Sequence, residues 1–174
     1  MKNLYLIRHA QAITPSNFQL RDFDRPLDNL GINATQEIGN RLADKKVHFE
    51  LLLTSPAVRT LTTARFIAEK INYPVENIVS LPSLYNASLE MIIEQIQAID
   101  NQYQTVGVVA HNPGITSLAN ELGHDQLLSM PTCGVYCIEL AINDWQEASH
   151  FNSKSVWFIH PSINSQFEQK TWQI

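Results

Sequence analysis

Residues 4–12 read LYLIRHAQA, and this short stretch predicts both a strand and the beginning of a site. The apolar run before position 8 is typical of a buried strand, which we place at residues 3–8. It ends abruptly in Arg8 and His9. Two basic side chains at a strand tip either face solvent or belong to a site, and the other segments that reach the same place decide between these alternatives.

Two more predicted strands end in a comparable way. The strand at residues 48–54 (HFELLLT) is followed by SPAVR, which ends in Arg59. The strand at residues 105–110 (TVGVVA) is followed by HNP, which begins with His111. The Ser-Pro and Asn-Pro pairs are typical of an N-cap followed by the first residue of a helix, so we expect a helix to begin directly after each strand.

The rest of the chain alternates between helical and strand patterns, which predicts an α/β fold with a mostly parallel sheet. A polar stretch at residues 10–28 interrupts this alternation, and a connection of that length within a compact domain is usually functional. The further predicted elements are a helix capped by Asp28, a short strand at 77–81, a helix at 88–99, a helix from 113 to 122, and two antiparallel edge strands at 133–142 and 155–159.

The carboxyl ends of neighbouring parallel strands form the usual ligand site of an open α/β sheet. If the three strands are parallel neighbours, Arg8, His9, Arg59 and His111 converge there, next to two helix N-termini. Taken alone, Arg59 is typical of a solvated helix residue and His111 of a capped loop residue. Their joint placement favours an anion site, and the planar fork of arginine matches the oxygens of phosphate.

Residue types narrow the chemistry of such a site. No acidic cluster follows a strand end, which disfavours a metal-dependent phosphatase, and neither a P-loop nor a cysteine in a phosphate-cradling loop is present. Histidine remains as the nucleophile, since an imidazole nitrogen can attack phosphorus. Neighbouring guanidinium groups disfavour protonation of His9, and its second ring nitrogen must donate a hydrogen bond, for example to a backbone carbonyl.

Length, composition and charge limit the number of domains and the classes of partner. The 174 residues fit one domain, which we expect to span residues 1–174, and a net charge of −5 without a Lys/Arg run disfavours a nucleic-acid partner. The first apolar run is too short for a secretory signal, and no segment approaches the length of a membrane span. Cys133 and Cys137 are expected to be free, buried thiols. We therefore expect a cytoplasmic monomer that has neither a membrane nor a nucleic acid as its partner.

At these residues the chain resembles the histidine phosphatase superfamily, and within it the SixA-type phosphohistidine phosphatases. The resemblance covers about residues 3–123, and the tail at 124–174 matches only loosely. The stretches that carry it are LYLIRHAQA, DRPLDNLGINAT, LLLTSPAVRTLTTA with Thr63-Ala64 at its close, and VGVVAHNPGITSLANEL.

The resemblance implies a three-layer αβα sandwich and a reaction that needs no metal or other cofactor. It implies that His9 accepts the phosphoryl group and that Arg8, Arg59 and His111 form the phosphate pocket. Arg25, in the Arg-Pro-Leu segment, is a further candidate for substrate binding.

The chain departs from the superfamily where many members carry a glutamate as proton donor. It has LYNA at residues 84–87 instead, so the general acid is either missing or supplied by Asp22 or Asp24 in the long loop. A missing acid favours phosphohistidine on a protein as the substrate, because imidazole leaves more readily than an alkoxide. A small-molecule phosphate ester or phosphoanhydride phosphatase, and a non-catalytic module that binds phosphorylated ligands, are the alternatives.

Overall fold

Six strands form one sheet in the order β3-β2-β4-β1-β5-β6 in the computed structural model, which describes residues 1–15 and 20–162. Residues 16–19 of the predicted loop and the last twelve residues of the predicted domain lie outside the described residues. The strands are β1 Lys2–Arg8, β2 Leu51–Thr54, β3 Val79–Ser80, β4 Thr105–Ala110, β5 Val135–Leu140 and β6 Ser153–Ile159. The α-helices are α1 Asn29–Asp44, α2 Val58–Lys70, α3 Leu89–Gln97 and α4 Gly114–Gly123.

The three strands singled out in the sequence are parallel neighbours, which is the condition under which the predicted site residues converge. β4 pairs in parallel with β1 on one side and with β2 on the other, while β3 pairs in parallel with β2. β5 runs antiparallel to β1, and β6 runs antiparallel to β5 at the edge of the sheet. The carboxyl ends of β1, β2 and β4 therefore lie side by side at one end of the sheet.

Each face of the sheet is covered by a pair of helices. Alternate side chains of β1 point to opposite faces: Leu6 packs in the cluster that contains α3 and α4, and Ile7 packs in the cluster that contains α1 and α2. The result is the three-layer αβα sandwich that the resemblance implied. None of the described helices is both long and apolar enough to cross a membrane.

The predicted helix starts are correct in one case and shifted in two. Asp28 caps α1, because its Oδ1 accepts a hydrogen bond from the backbone N–H of Gly31 at 2.7 Å. Ser55 does not cap α2, which begins at Val58 after an N-cap at Ala57. The Asn-Pro pair is likewise displaced, since the N-cap of α4 is Pro113. Ser55 and Asn112 instead use their side chains for contacts at the strand ends.

The two cysteines are free and buried, as expected from their spacing. Cys137 lies within β5, whereas Cys133 precedes the strand at a positive φ of 60° and donates its backbone N–H to the carbonyl of His9. This contact ties the end of β1 to the turn before β5.

Candidate active site

A cleft of about 260 Å³ opens at the carboxyl ends of β1, β2 and β4. Five residues predicted from the sequence line it together: Arg8, His9, Arg25, Arg59 and His111. Gln11 and Asn86 are exposed and lie at the same cleft, so its mouth is accessible from solvent.

The ring of His9 is held by the peptide that follows it. Nδ1 lies 2.8 Å from the carbonyl oxygen of Ala10, and a carbonyl oxygen only accepts, so Nδ1 carries the ring proton. Nε2 therefore keeps its lone pair, which is the form that a nucleophile needs. The backbone of His9 is fixed as well, because its N–H donates to the carbonyl of Ala110 at 3.2 Å.

The surroundings of His9 keep its imidazole neutral. Burial lowers the pKa of His9 to about 4, the hydrogen bond to Ala10 opposes this shift, and the positive charges of Arg59, Arg8 and Arg25 lower the pKa further. At neutral pH the unliganded protein thus holds an unprotonated imidazole among several guanidinium groups.

His111 is almost completely buried, and both of its ring nitrogens are engaged. Nε2 lies 2.7 Å from Ser55 Oγ, and Nδ1 lies 3.3 Å from Arg59 Nη2. Because Arg59 can only donate, Nδ1 acts as the acceptor and Nε2 donates to the serine. Burial, and then the electrostatic effects of the nearby His9 and Arg59, lower the pKa of His111 to about 3. Ser55 is therefore a partner of this histidine rather than a helix cap.

Arg59 is only 4% exposed, so it is not the solvated helix residue that its sequence context suggests when taken alone. Its Nη1 donates to the backbone carbonyl of Asp22 at 2.6 Å, and its Nη2 donates to Asp22 Oδ2 at 2.9 Å. Together with the contact to His111, these bonds fix the plane of the guanidinium.

Arg8 is held from the other side of the cleft, where its Nη1 donates to the carbonyl of Met130 at 2.6 Å. Among the described residues, two fully buried side-chain atoms lack a hydrogen-bond partner: Nε of Arg8 and Nε of Arg59. Both arginines line the cleft, so their positive charges favour an anion there.

The two acidic candidates for proton donation lie in different surroundings. Asp22 Oδ2 accepts hydrogen bonds from Arg59 and from the hydroxyl of Tyr85 at 2.9 Å, and its Oδ1 accepts from Arg25 at 3.0 Å. Partial burial raises the pKa of Asp22, but these three hydrogen bonds outweigh it and leave the pKa at about 2. Asp24 instead pairs with Arg21 at 2.6 Å and is not among the residues that line the cleft.

Four side chains at the site were not singled out as functional by the sequence: Ser55, Thr63, Tyr85 and Asn112. Tyr85 packs edge-on against the ring of His111 at 5.6 Å between centroids, besides donating to Asp22. Asn112 donates to the carbonyl of Met130 at 3.1 Å, the same oxygen that receives Arg8. Ser55 directly follows β2 and Asn112 directly follows His111, so their positions at strand ends are the signal that the sequence offers.

The described part of the chain contains no group of three or more His, Cys, Asp or Glu side chains placed to hold a metal ion. The side chains that line the cleft carry guanidinium, imidazole, amide and hydroxyl groups.

The family model for the histidine phosphatase superfamily (branch 1) matches residues 4–85. The crystal structure of SixA from Agrobacterium tumefaciens superposes with a TM-score of 0.78 at 28% identity, covering 92% of this chain and 98% of that one. These matches support the histidine phosphatase superfamily for this chain, with a fold of the SixA type. That superfamily supports phosphatase activity for this protein.

Two further relatives extend this comparison. The structure of the protein histidine phosphatase SixA complexed with tungstate has a TM-score of 0.76 at 25% identity, with 91% of this chain and 97% of that chain covered. A chloroplastic protein of Arabidopsis thaliana, itself uncharacterised, is 27% identical over 164 residues, which are 90% of this chain and 74% of the relative.

Proposed function

We propose that this protein is a metal-independent phosphatase that uses His9 as a covalent nucleophile and acts on phosphohistidine carried by a protein. One observation carries the proposal: Arg8 and Arg59 line the cleft in which His9 presents a neutral ring with its lone pair on Nε2. This set can bind a phosphoryl group and attack it.

The reaction has two steps. The lone pair of His9 Nε2 attacks phosphorus, the bond from phosphorus to the leaving nitrogen or oxygen breaks, and that atom departs with the bonding electron pair. Water then attacks phosphorus, the P–N bond to His9 breaks, its electrons return to Nε2, and inorganic phosphate leaves with the water proton passing to solvent. Arg8 and Arg59 stabilise the charge on the transferred oxygens in both steps.

The remaining site residues serve this pocket. His111 accepts from Arg59 and helps to hold its guanidinium, while Arg25 contributes positive charge and anchors Asp22. Asp22, with a pKa of about 2, is ionised at neutral pH and has no proton to donate to a leaving group. A substrate whose leaving group departs without a carboxylic acid therefore fits best, and phosphohistidine meets this condition.

The exposed residues at the mouth of the cleft also fit a protein substrate, because a side chain on a protein surface must enter from outside. SixA, a relative at 25% identity, is named as a protein histidine phosphatase, which supports the same substrate class. The free, buried thiols of Cys133 and Cys137 fit a reducing cytoplasm, and we propose that the protein acts there as a monomer.

A panel of substrates tests this proposal in the presence of excess chelator. It contains a phosphohistidine protein, an aryl phosphate series of falling leaving-group pKa, phosphoserine and a sugar phosphate. We expect turnover of the phosphohistidine protein and of activated aryl phosphates, with alkyl phosphates slower by about 10²- to 10⁴-fold, which is the usual contribution of a general acid.

The other outcomes identify the alternatives. Equal rates for alkyl and aryl esters would show that a proton donor exists and would favour a small-molecule phosphatase. Binding of phosphorylated ligands without any turnover would favour a non-catalytic module. Loss of turnover in chelator that Mg²⁺ restores would contradict the metal-independent mechanism.

A further inference from the structure

A buried hydroxyl connects the nucleophile to the helix that carries Arg59. Thr63 Oγ1 accepts the backbone N–H of Ala10 at 3.0 Å and donates to the carbonyl of Arg59 at 2.7 Å. Both Thr63 and Ala10 are fully buried, so no solvent competes for these bonds.

Thr63 bonds the same residue whose carbonyl orients His9: Thr63 holds the N–H of Ala10, and the carbonyl of Ala10 holds the ring of His9. The carbonyl of Ala10 receives the Nδ1–H of His9, so the position of this residue decides which ring nitrogen carries the proton. We propose that Thr63 is a positioning residue for catalysis: it fixes the Ala10 residue, and through it the tautomer and direction of the His9 ring, in register with Arg59. This inference rests on the proposed role of His9 as the nucleophile.

The geometry explains why a hydroxyl is required at this position. Only a group that accepts and donates at once can join the N–H of Ala10 to the carbonyl of Arg59. Valine has nearly the shape of threonine but offers neither function, so Thr63→Val leaves the buried N–H of Ala10 without an acceptor. The ring of His9 then loses the fixed position of the oxygen that selects its tautomer.

The same helix supplies a matched control. Thr62 Oγ1 donates to the carbonyl of Val58 at 2.7 Å, the same four-residue backward bond that Thr63 makes to Arg59. Thr62 has no contact with Ala10 among the hydrogen bonds of the described residues, so Thr62→Val removes an equivalent helix bond and leaves His9 supported.

The test compares wild type, Thr63→Val, Thr63→Ser and Thr62→Val on an aryl phosphate. We expect Thr63→Val to lower kcat by about 10- to 100-fold with KM changed less than about 3-fold, because misplacement of a reacting group acts mainly on the chemical step. Thr63→Ser keeps the hydroxyl and should restore most of kcat, and Thr62→Val should match wild type.

Nitrogen-15 NMR of the His9 ring gives a readout that does not depend on turnover. We expect mainly the Nδ1–H tautomer in wild type, Thr63→Ser and Thr62→Val, and a mixture in Thr63→Val. If Thr63→Val does not fold, Thr63→Ala must show the same loss and the same mixture.

Wild-type kcat and tautomer in folded Thr63→Val or Thr63→Ala would overturn the inference about Thr63. An inactive wild type with the expected change of tautomer would overturn the proposed function and leave the positioning of His9 by Thr63 standing.

Discussion

Mild acid should destabilise this protein through its two cleft histidines. The pKa values of His9 and His111 are about 4 and about 3, in both cases first because burial disfavours the imidazolium. In the unfolded chain both titrate near 6.5, so between about pH 4 and 6.5 the unfolded state binds more protons than the folded one. Their contribution to stability is therefore fully present above about pH 6.5 and is lost as the pH falls towards 4.

The size of the effect follows from these shifts. At about pH 5, relative to about pH 7, each histidine should lower the free energy of unfolding by about 2 kcal/mol, or roughly 3 to 4 kcal/mol together. Asp22 does not contribute to the loss in this pH range. Its pKa is lowered from 3.8 to about 2, so its stabilising effect is fully present above about pH 3.8 and is lost only in stronger acid. The loss is a large part of the 5–15 kcal/mol of stability that is typical of a domain.

Urea unfolding followed by intrinsic fluorescence at both pH values measures this difference. His9→Asn should remove about half of the loss, whereas His48→Gln, which replaces an exposed histidine outside the cleft, should leave it unchanged. Equal stability of the wild type at both pH values would refute the reasoning. The reasoning would also be refuted if His9→Asn lost as much stability as the wild type between the two pH values, because His9 would then not be held neutral by the fold.

Two substitutions probe the phosphate pocket. Arg59→Lys keeps the positive charge but loses the planar guanidinium, whose two Nη atoms bond to Asp22 and whose Nε is unpaired. We therefore expect kcat/KM to fall by about 10²- to 10³-fold, the usual effect of losing a transition-state donor. Arg65→Lys, at an exposed position on the same helix, is the control, and near-wild-type kinetics in Arg59→Lys would place this residue outside the reaction. Asp22→Asn removes a carboxylate next to the anion site and should lower the inhibition constant of orthophosphate by about 3- to 10-fold, with Asp24→Asn as the control that leaves it unchanged. A weaker inhibition by phosphate in Asp22→Asn would show that Asp22 supports the anion rather than opposing it.

The sequence alone was sufficient to predict the site residues that lie at the end of a strand. Arg8 ends a buried strand, and His9 and His111 each directly follow one, so the sheet alone brings them together. Asp28 was predictable for a similar reason, because a cap depends on its own helix. In both cases the determining contacts are close in sequence or follow from parallel pairing.

Other parts of the site depend on contacts that no local pattern records. Asp22 reaches Arg59 across 37 positions and Tyr85 across 63, and both contacts require the path of the long loop. Ser55 has the pattern of a helix cap, yet its hydroxyl pairs with His111, 56 positions away, because the helix begins three residues later. The burial of Arg59 was hidden for the same reason, since the groups that cover it come from distant segments.

Trapping the covalent intermediate tests the central claim most directly. Wild-type protein is mixed briefly with a phosphodonor carrying labelled phosphate, quenched in base, and digested for mass spectrometry. We expect label that is stable in base and lost in acid, located on the peptide that contains His9 and absent from His9→Ala. Label that survives in His9→Ala, or that resists acid, would contradict a phosphohistidine at this position.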